Sequence, residues 1–282
     1  MRRHSIVEQC DLCGWVRPVV LLFAAVALLP GSCRRCSAQT PGVHFEAECE
    51  VSTVKPVDAN SRDPIPMGPR VFPGGRITIG AATLERLIEL AYSLQRFQIS
   101  GGPEWKDKTV FDVVALCPGL PPGAVSAKGY RWTLTGAERG ALRDLLESRF
   151  HLRVRRESVQ GPALLLTQGG GAPALKPTTK PDREPAMSVM QRGTIVDGEA
   201  FGINASLDDV AREFTADLQK PVVNKTGIQG SFDFHVLAFA EGNTDLELAV
   251  KGVAKHLGLE ISKGTANVGS LVIESARMPD AN

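Results

Sequence analysis

Apolar and polar positions along the 282-residue chain follow two periods, and the switches between them mark out the elements. Residues 44–56, "HFEAECEVSTVKP", alternate and are rich in β-branched side chains, which predicts a strand. The Pro-, Gly- and Asp-rich "VDANSRDPIPMGPRVFPGG" predicts a loop, and "RITIG" a short strand. In "TLERLIELAYSL" the residues Leu84, Leu87, Ile88 and Ala91 recur at helical spacing, so they share one buried face. Thr83 stands where its hydroxyl can accept from an unpaired N–H of the first turn. "FDVVALC" reads as a strand that the proline-rich "PGLPPG" ends. A second helix follows in "AERGALRDLLESRF", with Leu142, Leu145 and Leu146 inward. "HLRVRRES" puts Leu152 and Val154 on one face and His151, Arg153 and Arg155 on the other, and "PALLLTQ" reads as a separate strand after it.

The same order returns later in the chain. "SLDDVAREFTADL" is a helix capped by Ser206, with Leu207, Val210, Ala211, Phe214 and Leu218 as its apolar stripe. The turn region "VVNKTG", the strand "SFDFHVLA", the helix "DLELAVKGVAKHL" and the strands "GLEIS" and "SLVIES" complete it. Thr83 overlays Ser206, Leu84 overlays Leu207, and Phe111-Asp112 overlays Phe232-Asp233 after a two-residue adjustment. From the second helices onward a constant spacing of 107 places Phe150 on Leu257, Val154 on Ile261, Leu164 on Leu271 and Leu166 on Ile273. One register kept through helix, strand, turn and strand predicts an internal duplication. The expected fold is α+β: two tandem β-α-β-α-β-β repeats with small mixed sheets and packed helices. Its boundaries are residues 39–168 for the first half, a Gly/Pro-rich linker over 169–186, and 187–282 for the second half.

The N-terminus departs from this pattern. Arg2, Arg3 and Arg17 precede the apolar run "VVLLFAAVALL", and the small-residue exit "SCRRCSAQT" follows. That order describes a secretory signal peptide over residues 1–38, cut after Ala38. A lipoprotein cut before Cys33, or an uncleaved anchor, are the alternatives, and the latter is the one membrane attachment expected. Residues 1–38 hold five arginines and two acids, so the rest of the chain carries 27 basic and 29 acidic side chains, about −2. That balance gives no reason to expect a nucleic-acid partner. The expected location is secreted or periplasmic. Cys10/Cys13 and Cys33/Cys36 have zinc-ligand spacing, but the apolar leader separates them, so no metal site is expected. Past Ala38 only Cys49 and Cys117 remain, which in an oxidising compartment either pair or stay as two thiols.

Candidate chemistry is sparse. Asp112 and Asp233 each sit inside an apolar strand, where a carboxylate is costly unless paired. They form either an acid/base pair or two structural acceptors, each tied to its own turn. Trp105, after Gly-Gly-Pro, either stacks on a ligand or packs over its turn. Arg149, Arg153, Arg155 and Arg156 either hold an anion or line a solvated strand face. The five histidines form no HExxH, and neither a nucleophile elbow nor a Walker A loop is present. No catalytic residue and no cofactor is assigned.

Several segments in order, "VSTVKP", "TLERLIELAY", "QISGGPEW", "FDVVA", "LLESRFHLRV", "PVVNKTGIQGSFDF" and "LVIES", resemble the soil-associated, acidobacterial DUF3738 family from Phe45 to Asn282. Three positions depart from the family's habit: Arg155 for histidine, Asn224 for aspartate and Glu274 for the aspartate of "VID". The resemblance implies no established activity. Relatives that look appended to membrane sensor metallopeptidases imply an extracytoplasmic sensing or binding role. Each half is more faintly similar to the short N-terminal domain of secretins and TonB-dependent receptors, a small α+β partner-binding module. The expectation is therefore a non-catalytic interaction module for an envelope protein or peptide, contacted by strand addition at an open sheet edge. The alternative is an extracytoplasmic hydrolase using Asp112 or Asp233.

Overall fold

A computed structural model describes residues 49–57, 65–120, 134–170, 175–182, 186–192, 197–239 and 245–280. All of them fall within one compact unit, His44–Asn282. The leader read in residues 1–38, with its two Cys-x-x-Cys pairs, lies outside the described residues.

The first part of the chain runs β1 (Val51–Pro56), β2 (Gly68–Val71), β3 (Arg76–Thr83), α1 (Leu84–Tyr92), a 3-10 turn (Arg96–Gln98), β4 (Ile99–Gly101), β5 (Val110–Leu116), α2 (Gly136–Phe150) and β6 (Arg153–Gln168). The second runs β7 (Lys176–Pro177), β8 (Ala186–Arg192), β9 (Asp197–Ala205), α3 (Leu207–Leu218), β10 (Val222–Asn224), β11 (Phe232–Phe239), α4 (Leu246–His256) and β12 (Leu259–Ser275). The fold is α+β. Its strands form three four-stranded sheets, ordered β1-β5-β3-β2, β10-β6-β12-β4 and β7-β11-β9-β8.

The helices start where the capping residues place them. Thr83, Thr135, Ser206 and Asp245 each accept a first-turn N–H, which stabilises each start by about 1 kcal/mol. α1, α2 and α3 end on Ser93, His151 and Gln219, whose left-handed φ angles of 54°, 48° and 50° turn the chain out of the helix.

Two predictions of strand order change. "HLRVRRES" and "PALLLTQ" form one sixteen-residue strand, β6, and "GLEIS" and "SLVIES" form one seventeen-residue strand, β12. Gly161-Pro162 does not break β6, because Leu164 points its N–H away from β12, toward Pro221. Pro162, two residues earlier, therefore lacks a donor on that same side, and the β6–β12 ladder loses nothing. The strands β8 and β9 were not read in the sequence; in β9, Gly198 and Gly202 interrupt the alternation. Gly202 has a packing reason: a Cβ there would meet the Phe234 ring at 2.4 Å. The segment read as a linker contains β7, paired antiparallel with β11.

Two cores result, and they do not follow the chain halves. Core 1 gathers β1 to β5, α1 and α2, and takes in Leu271 and Ile273 of β12. Core 2 gathers α3, α4 and the start of β12, and takes in Leu164 and Leu166 of β6.

Candidate functional site

The two aspartates stand at matched positions. β3 and β9 each contain a left-handed residue just before the helix cap, Ala81 and Asn204, both with φ 50°. The β3–β5 ladder slips its register at Ala81, and the β9–β11 ladder at Asn204, so each backbone N–H loses its strand partner. Asp112 Oδ1 accepts the Ala81 N–H at 3.0 Å, and Asp233 Oδ1 accepts the Asn204 N–H at 2.9 Å. Asp233 also accepts the Thr178 hydroxyl at 2.8 Å and both the N–H and the hydroxyl of Thr179, at 3.0 and 3.2 Å. These donors, with the Asn204 N–H foremost, hold the Asp233 carboxyl well below the usual carboxylate range. The two carboxylates lie in different sheets, one in β5 and one in β11. They are not brought together as a pair; each satisfies its own bulge.

Trp105 closes over core 1. Its ring stacks on Phe150 at 6.3 Å and meets Phe111 edge-on at 6.2 Å, while Phe111 and Phe150 meet edge-on at 5.1 Å. The arginines disperse. Arg149 donates to the backbone and hydroxyl of Ser52, and Arg156 lies 5.9 Å from the Tyr92 ring centroid. Arg155 pairs with Glu157 and, at 3.3 Å, with Glu274. Arg153 is exposed. Cys49 and Cys117 are joined in a disulfide that ties the chain ahead of β1 to the end of β5.

Two features escaped the sequence. Shallow concavities of about 530 and 370 Å³ lie where the chain after α1 meets α3. Glu85, Arg96 and Lys106 line the first together with Gln219, and Tyr92 and Gln95 line the second together with Asp208 and Thr215. Gln219 donates its side-chain amide to Gln95 at 3.2 Å between them. Glu85 accepts from Arg96 at 3.0 Å and from Lys106 at 3.3 Å, which neutralises it. Separately, Asp217 in the last turn of α3 has one carboxylate oxygen buried without a hydrogen-bond partner among the described residues. Burial, with Glu213 one turn away, pushes its carboxyl up to about 7. No spacing pattern marks such groups, because they arise from what packs over them.

Among the described residues, no group of His, Cys, Asp and Glu is placed to hold a metal ion, and no helix is long and apolar enough to cross a membrane. Residues 85–276 match the family model described as a protein of unknown function, DUF3738. The chain belongs to the DUF3738 family. The match opens within α1 and closes just past β12, so it takes in both long strands and both bulge aspartates. No curated protein and no solved structure matches this DUF3738 chain.

Proposed function

We propose that this DUF3738 protein is an extracytoplasmic interaction module, built on an internal duplication, that holds an envelope protein or peptide by strand addition along β8. The state of the sheet edges carries this reading. β1 ends in Pro56, β2 contains Pro69, and β7 is only Lys176–Pro177; prolines blunt an edge by removing donors. β4 and β10 are three residues each, and the Val222 N–H of β10 is taken by the Thr215 hydroxyl at 2.9 Å. β8 has seven residues, no proline, and among the described residues pairs with β9 alone. An extended peptide laid along it would gain main-chain hydrogen bonds without needing a cavity.

The leader-like N-terminus and the Cys49–Cys117 bond support an oxidising, extracytoplasmic location. The matched bulges at Ala81 and Asn204, held by Asp112 and Asp233, support the duplication. They also weigh against a hydrolase built on these aspartates, since both carboxylates serve backbone donors.

The test is capture from envelope extract by the full chain and by Val189→Pro, which puts a proline in the middle of the β8 strand. The reading expects one envelope protein captured by the wild type and lost by the variant, with the melting temperatures of the two chains alike. Capture that survives Val189→Pro, or no capture where a control binder succeeds, would overturn strand addition at β8.

A further inference from the structure

Each of the two longest strands serves both cores. Leu152, just ahead of β6, and Val154 pack in core 1, while Leu164 and Leu166, near the far end of β6, pack in core 2. β12 runs the other way: Leu259 and Ile261 pack in core 2, and Leu271 and Ile273 in core 1. The short parallel strands follow the crossing. β4, from the first part of the chain, pairs with Leu271–Ile273, and β10, from the second, pairs with Leu164–Leu166.

Register and spacing meet at one place. Val154 faces Ile273 and Leu166 faces Ile261 across the antiparallel ribbon. The residues in matching roles, Val154 and Ile261, or Leu166 and Ile273, are 107 apart. At the middle, Gln160 faces Asn267, which is also 107 residues away. A residue that faces its own counterpart marks a local two-fold axis, as in an isologous dimer. A two-fold about that pair relates β6 to β12 and, through their pairing, β10 to β4.

We infer that the β6–β12 ribbon is a strand-exchange device: each half of the chain is completed by the outer end of the other half's last strand. The chain is then the single-chain form of a strand-swapped pair, and the division at residues 169–186 is a division of the sequence alone. A strand that enters another unit's core contributes there the burial it would otherwise supply at home. The local stability of each half is therefore set by a strand from the other half. This inference is independent of what binds at β8.

Amide hydrogen exchange on the full chain tests it. Leu271→Ala sits in the second half of the sequence, yet exchange should rise most in α1 and β4 of the first half. Leu166→Ala sits in the first half, yet exchange should rise most in α3 and β10. A Leu→Ala cavity in a packed core is large enough to make the rise about tenfold or more. Deprotection that is greatest in the half carrying the substitution, or equal in both, overturns the inference. Should either alanine variant fail to fold, Leu271→Val and Leu166→Val serve the same comparison. A strand transplant adds a second readout: Leu259–Ser275 replaced by the equally long sequence of Leu152–Gln168. In register, the transplant should keep a single cooperative transition and the Cys49–Cys117 bond; offset by one residue, it should lose both. Equal behaviour of the two transplants would overturn the equivalence of the strands.

Discussion

Gln160 of β6 stands directly opposite Asn267 of β12, and the two are 107 residues apart, the same spacing that separates Val154 from Ile261 and Leu166 from Ile273. One pair thus lies at the centre of a ribbon whose two ends enter different cores.

The bulge aspartates should behave as structural acceptors. Asp112→Ala leaves the Ala81 N–H without its partner and should destabilise by roughly 1–3 kcal/mol in denaturant titration. Asp233→Asn should lower the melting temperature at neutral pH. The Asp233 carboxyl is depressed in the folded state, so its contribution is full above the unfolded value of about 4 and is lost as pH falls toward the folded value. The gap between wild type and Asp233→Asn should therefore close in acid; a gap that stays constant with pH would contradict this assignment.

The disulfide closes a loop with a sequence separation of 68. Cys49→Ser should cost roughly 2–4 kcal/mol, and a reductant should lower the melting temperature of the wild type but not of the variant. Peptide mapping of the unreduced protein should recover a Cys49–Cys117 crosslink. Two free thiols would refute it.

Asp217 carries the opposite pH sign. Its folded-state carboxyl is raised to about 7, so the folded state holds a proton that the unfolded state releases near pH 4. Its contribution is full below about pH 4 and disappears as pH rises through 7. Asp217→Asn should raise the melting temperature at pH 8 and leave it nearly unchanged at pH 4. Its partial exposure limits the gain to on the order of 1 kcal/mol. Thermal melts of both chains across that range decide it.

Trp105 is a packing residue by its contacts with Phe111 and Phe150. Trp105→Ala should cost about 2–3 kcal/mol, and Trp105→Phe much less. If both variants melted like the wild type, the ring would not be supporting core 1.

Local signals were legible where one side chain answers one local need. Thr83 and Ser206 cap as their positions suggest, because capping depends only on the next three residues. The stripes of α1 and α3 are buried along the spacing the sequence showed. Asp112 and Asp233 stood out as polar residues in apolar strands, although the bulges that decide what they accept lie 31 and 29 residues away in the sequence. The continuity of β6 and β12 was hidden by Gly161, Pro162, Gly264 and Gly269, residues that elsewhere end strands.

The chain's own periodicities therefore determined its α+β class, the four helices among the described residues and the constant spacing between its two long strands. The tertiary structure decided which core each strand end enters. A two-residue period states that Leu164 and Leu166 face one way together; it cannot say what they face. That choice depends on antiparallel register across the ribbon, set jointly by both cores, and no segment of sequence contains both partners.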